Sequence, residues 1–139
     1  MLVGPWMAQA PVGELQACGL SLKKAQTLQA MARAIDAGEL SEHTLARMET
    51  GEALERLVQL PGVGPWTAGL VLLRGLGRID VFPSGDSGAA RSLRKLIPID
   101  EQASIDGTVA SFGDARGYLY FCCLGASLLE KGLVHPAER

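Results

Sequence analysis

A five-residue break, Pro61-Gly62-Val63-Gly64-Pro65, separates two stretches of helical spacing and limits the folds open to this chain more than any other segment. Proline ends one helix and suits the first position of the next, and glycine admits backbone conformations closed to other residues. The break therefore predicts a tight turn between two helices. Ahead of it, Thr50 can cap a helix whose apolar stripe is Leu54, Leu57 and Val58. Behind it, residues 66–76 are apolar on nearly every side as far as Arg74, which predicts the most buried helix of the chain. The paired helices and their turn cover about residues 54–76.

Helical spacing recurs along the rest of the chain, and alternating strand runs are absent. Ser21 can cap a helix that carries Leu22, Ala25, Leu28, Ala32 and Ile35 on one face, with Gly38 as its stop. A short helix is predicted over residues 41–48 and a loop over 77–85. Residues 89–97 predict a helix with Leu93, Leu96 and Ile97 inward and Arg91, Arg94 and Lys95 outward. A further helix is predicted over 101–112 and a final one over about 115–131. With 139 residues, 47% hydrophobic, and no linker or long-period repeat, the expectation is one all-α domain over residues 1–139.

A net charge of −2 excludes a globally basic nucleic-acid binder but leaves room for a local patch. Residues 61–97 hold Arg74, Arg78, Arg91, Arg94 and Lys95 against Asp80 and Asp86, so the excess negative charge lies elsewhere. Cys18, Cys122 and Cys123 form an odd set with an adjacent pair, which argues against a disulfide framework. His43 and His135 are far from any cysteine in sequence, so zinc spacing is missing. These features predict a reduced, cytosolic protein. No secretory signal is recognisable, and the longest apolar stretch, about residues 118–129, is too short to cross a bilayer.

The break at Gly62 and Gly64 lies directly before a helix N-terminus. Exposed amides together with the positive end of a helix dipole suit an anion such as a phosphate, with no charged side chain required. A bare Gly-x-Gly would favour an ordinary turn between two helices. The full string Leu60-Pro61-Gly62-Val63-Gly64-Pro65-Trp66-Thr67-Ala68 favours a helix-hairpin-helix that grips a DNA backbone without reading sequence.

Asp86 stands at a loop-to-helix junction, twenty-two residues past Gly64. Asp86 or Ser87 can simply cap the helix that follows. A catalytic carboxylate at the same position is compatible with capping, since a helix start favours the ionised form at neutral pH.

Residues 60–86, LPGVGPWTAGLVLLRGLGRIDVFPSGD, resemble the helix-hairpin-helix DNA glycosylase superfamily, and within it the 3-methyladenine DNA glycosylase II type. In that family a hairpin of this form is followed by a Gly/Pro-rich loop and a catalytic aspartate. The resemblance continues upstream through Gly19-Leu20-Ser21 and Lys24-Ala25 and downstream to Arg116-Gly117-Tyr118, covering about residues 12–133. It implies an all-α fold and hydrolysis of the N-glycosidic bond of alkylated purines in double-stranded DNA, with Asp86 as the catalytic group. DNA would be held at Gly62, Val63, Gly64, Trp66 and Thr67, with a monovalent cation on the backbone of Val58, Leu60 and Val63. A cationic alkylpurine is already a good leaving group, so one carboxylate can stabilise the developing oxocarbenium and position water. The flipped base needs aromatic faces, for which Trp66, Tyr118 and Tyr120 are available; core packing explains Trp66 as well and the two tyrosines better. Lyase members of the superfamily carry lysine at position 66; Trp66 implies a monofunctional hydrolase. Cys122 and Cys123 cannot supply the four ligands of the iron–sulfur cluster found in some relatives, so none is expected.

Two departures from the family pattern shape the remaining expectations. Relatives begin with additional helices that carry the wedge for base flipping, whereas residues 1–10 resemble the middle of the domain. The chain is thus expected to be a fragment or a shortened relative, with self-association through surface left uncovered, or a cleft open on one side with Asp86 exposed. Relatives of this branch tend to have Trp and Pro where residues 112–115 read Phe-Gly-Asp-Ala, so the base pocket should differ. The competing reading is a non-catalytic DNA-binding hairpin module, or an inactive fragment, in which Asp86 is only a cap. In either case the expected location is with DNA, in the nucleoid if the source is bacterial, and not on a membrane.

Overall fold

The computed structural model describes residues 4–99 and 104–135, which divide into two compact units with the boundary between Ala68 and Gly69. The described residues hold helices and no strand, the all-α class that the spacing predicts. None of these helices is long and apolar enough to cross a membrane.

The first unit contains α1 (Gly4–Gln9), α2 (Val12–Ala17), α3 (Leu22–Asp36), α4 (Glu42–Arg47), α5 (Thr50–Val58) and the start of α6 (Pro65–Leu70). The Ser21 hydroxyl accepts the Lys24 N–H at 3.3 Å and starts α3 as expected. Beyond its end, the Glu39 and Leu40 N–H groups both bond to the Ala34 carbonyl. The buried face of α3 differs from the predicted stripe. Ala25, Gln29 and Ala32 are buried, while Leu22 and Ile35 are exposed. The reason is that α1 and α2 pack on α3. Alanines permit close helix approach, and Gln29 Nε2 and Arg33 Nε donate to the carbonyls of Ala10 and Ala8. Those carbonyls lie at the end of a six-residue helix, where intrahelical partners run out. A count of apolar residues could not see that polar side chains would close this contact.

Helix α4 falls within the predicted span, and Ser41, expected as its first residue, is its cap. Helix α5 begins one residue earlier than expected. Glu49 is its N-cap, its carbonyl accepting the Ala53 N–H at 2.9 Å, and Thr50 is already helical. Ala53 and Leu57 are its fully buried positions.

The second unit holds the rest of α6, a π-helical turn (Val71–Gly75), α7 (Ser87–Leu96), α8 (Ile105–Ala110), a 3-10 turn (Gly113–Ala115) and α9 (Arg116–Glu130). The helix predicted over 66–76 has the expected extent but not regular geometry. The Leu76 N–H reaches the Val71 and Leu72 carbonyls, both at 3.2 Å, so the last turn is widened. Its buried residues are Ala68, Gly69, Leu72 and Leu73, whereas Trp66 and Arg74 are exposed.

Helix α7 packs on α9 through Ala89, Ser92 and Leu93. Leu96, predicted inward, is exposed, because the packed face ends one turn before the helix does. Arg91, Arg94 and Lys95 face solvent as predicted, and Lys95 pairs with Glu130 at 2.5 Å across the exposed edge, holding the Glu130 carboxyl below its usual range. Of the helix predicted over 101–112, Ile105–Ala110 is helical with Ser104 as cap, and residues 101–103 lie outside the described residues. On α9, Gly117 touches the loop that precedes Asp86. Its N–H donates to the Ile79 carbonyl at 2.6 Å, and a Cβ there would sit 2.6 Å from that oxygen and 2.7 Å from Leu73 Cδ1. Glycine is required at that point by contact distance, which ties residues 77–85 to α9.

Candidate functional site

The hairpin residues of the first unit are set by α3. Gly62 has φ +80°, and a Cβ on it would overlap Oγ1 of Thr27. That hydroxyl is itself held, donating to the Lys23 carbonyl at 2.9 Å. Val63 is buried and anchors the turn, its N–H bonded to the Leu60 carbonyl at 3.1 Å. Pro65 takes the first helical position, and the Gly64 carbonyl accepts the first helical bond, from the Ala68 N–H at 2.9 Å. The N–H groups of Gly62 and Gly64 have no protein acceptor among the described residues. Two donors therefore remain available at this turn, while the Val63 amide is already used. Gly64 has no left-handed backbone, and a Cβ on it would meet nothing within 4 Å. Neither folding nor packing explains why position 64 is glycine. Trp66, at 44% relative exposure, and the half-buried Thr67 occupy the first turn of α6.

In the second unit Asp86 caps α7 and does more. Its Oδ1 accepts the Ala89 N–H at 2.9 Å and its Oδ2 accepts the Tyr120 hydroxyl at 2.9 Å. An ionised carboxylate is an acceptor only, so both donors match that form. Asp86 is half-buried, at the wall of a cavity of about 100 Å³ whose other lining includes Ser92, Tyr120, Cys123 and Ser127. Tyr120 is buried, and its ring meets Phe82 edge to face at 5.4 Å. Tyr118 is 58% exposed and does not line this cavity. The bond to Oδ2 holds Tyr120 against the carboxylate. Cys123 and Ser127 are not placed beside Asp86 in the sequence reading, although their signal is present. Tyr120, Cys123, Leu124 and Ser127 follow the three- and four-residue steps of one helix face.

Burial, then the bond to Asp86 and its charge, push the Tyr120 phenol from its ordinary value of 10.0 up to about 12. Burial, with the neighbouring Cys122 and Asp86, raises the Cys123 thiol to about 11, so it is an inert, protonated group at neutral pH. The Tyr120 shift has a defined consequence for stability. Between pH 10 and 12 the folded chain holds a proton that the unfolded chain has lost. The contribution, about 2–3 kcal/mol for a two-unit shift, is complete below pH 10 and disappears as pH rises towards 12. With Tyr118→Phe as background, tyrosinate absorbance should titrate near pH 12 in the folded protein. A midpoint at the unfolded value would show that Tyr120 is neither buried nor bonded to Asp86.

A glycine turn with unpaired amides ahead of a proline-started helix, and further along the chain a half-buried N-capping aspartate held by a tyrosine, define a helix-hairpin-helix protein with an ordered carboxylate at a cavity wall. No protein-family model matches the chain. The YfjP protein of Bacillus subtilis, a provisional DNA-3-methyladenine glycosylase, is 29% identical over 118 residues, 85% of this chain and 41% of that protein. DNA-3-methyladenine glycosylase 1 of Schizosaccharomyces pombe is 34% identical over 83 residues, 59% of this chain and 36% of that protein. Among solved structures, the 3-methyladenine DNA-glycosylase from Archaeoglobus fulgidus matches with a TM-score of 0.68 and 31% identity, over 88% of this chain and 42% of that one. These matches support the helix-hairpin-helix DNA glycosylase superfamily. The chain spans about two fifths of the length of these relatives.

Proposed function

We propose that this chain carries the catalytic carboxylate and the DNA-gripping hairpin of a monofunctional DNA glycosylase that removes alkylated purines of the 3-methyladenine type. The observation that carries the reading is Asp86, half-buried at a cavity wall and fixed through both oxygens, in a chain whose relatives bear that enzyme's name. The C1′–N bond breaks, and water then adds to C1′ of the deoxyribose. The cationic base leaves neutral with the bonding electrons, and the proton lost by water passes to Asp86 and then to solvent. Asp86 also stabilises the oxocarbenium charge that develops before water adds. Tyr120 acts as a positioning residue, holding Oδ2 in place. Trp66 supplies no amine, so no covalent enzyme–sugar adduct forms.

The Gly62 and Gly64 amides would hold a phosphate of the duplex, a weakly sequence-selective contact that falls with salt. The backbone of Val58, Leu60 and Val63 would take a monovalent cation beside it. The reading places the protein with DNA in the cell. Its test is release of methylated base from alkylated duplex DNA by the parent chain, with an abasic site left intact. Duplex binding without base release would favour the second reading, a DNA-binding module in which Asp86 only caps α7, an assignment that its bond to Ala89 also fits.

A further inference from the structure

Beside the hairpin, within the first unit, lies a cavity of about 470 Å³ that extends from the hairpin onto residues with no role assigned above. The start of α3 forms one side and hairpin residues Gly62 and Thr67 form the other. Its floor is apolar, made by Leu20, Leu28 and Met31, and its rim carries Lys23 and Lys24. Both lysines are exposed, neither takes part in an ion pair among the described residues, and no carboxylate lines the cavity. The contact of Gly62 with Thr27, one turn along α3 from Lys23, fixes the distance between the lysines and the hairpin amides.

We propose that this cavity is a second DNA-backbone subsite, in which Lys23 and Lys24 neutralise phosphates adjacent to the one held by the hairpin. An apolar floor with a cationic rim suits a sugar–phosphate chain, because deoxyribose faces are apolar and the phosphates are anionic. The free Gly62 amide at the cavity wall makes the two subsites continuous along one strand. The inference rests on the proposed hairpin contact with DNA and not on the proposed chemistry at Asp86.

The test measures binding of the full chain to an undamaged duplex across a salt series, using fluorescence anisotropy. The parent is compared with Lys23→Gln/Lys24→Gln, Lys23→Arg/Lys24→Arg and Gly64→Arg, each checked for helical circular dichroism and melting. The double Gln variant should bind less tightly by a similar factor on duplexes of different sequence. Its salt slope should fall by about 2, one for each phosphate no longer neutralised, and the Arg variant should restore it. An unchanged slope in the Gln variant, with Gly64→Arg abolishing binding, would overturn the second subsite and leave the hairpin contact standing. If the parent does not bind duplex at all, both fall. A reduced slope in a chain that releases no base would support the subsite while removing the catalytic reading.

Discussion

Asp86→Asn should lower base release by about 10²–10⁴-fold while the chain still folds and binds duplex DNA, because the substitution removes charge and little else. Asparagine is as good an N-cap as aspartate, and its amide oxygen can accept the Ala89 N–H that Oδ1 accepts now. Its amide N–H₂ would face the Tyr120 hydroxyl, which can accept as readily as it donates. The cap and the Tyr120 contact therefore survive, and the negative charge that the proposed mechanism uses does not. Single-turnover release from methylated duplex, run beside circular dichroism and duplex binding, reads the three quantities separately. Equal release rates in both proteins would end the catalytic assignment. Borohydride should trap no adduct in either protein, because Trp66 replaces the amine that such trapping requires.

The two hairpin glycines should respond in opposite ways to the same substitution. Gly62→Ala forces a side chain into a backbone with φ +80° and into Oγ1 of Thr27. The left-handed conformation and the overlap together cost about 2–4 kcal/mol, a large share of a domain's stability. Melting should fall by roughly 10 °C. Adding Thr27→Ala should recover the overlap part and not the conformational part. Gly64→Ala meets no neighbour and no conformational penalty, so melting should hold or rise slightly. Its methyl would stand beside the free amide, however, and duplex binding should weaken. If Gly64→Ala melted as early as Gly62→Ala, the second glycine would be structural and the hairpin would lose its evidence for a phosphate.

Much of this architecture is local, and local features are legible in a sequence. Ser21 and Asp86 each cap the helix that their position announces, because a cap is a bond across three residues. The Pro-Gly-Val-Gly-Pro break ends one helix and starts another for the same reason, since proline and glycine act on their own backbone. The helical class follows from spacing, and the start and end of α9 fall within a residue of expectation.

Tertiary contact decided the rest. Leu22, Ile35 and Leu96 are as apolar as any core residue, yet they are exposed, because burial depends on which neighbour arrives and not on the side chain's own preference. Gln29 is buried because the end of α1 needs donors that only folding brings near. Tyr120 reaches Asp86 across thirty-four residues of sequence, a bond that no periodicity encodes. The same holds for the two glycines of the hairpin. As letters they are equivalent, but the approach of Thr27 makes Gly62 a requirement of the fold, while the open space around Gly64 puts no such requirement on that position.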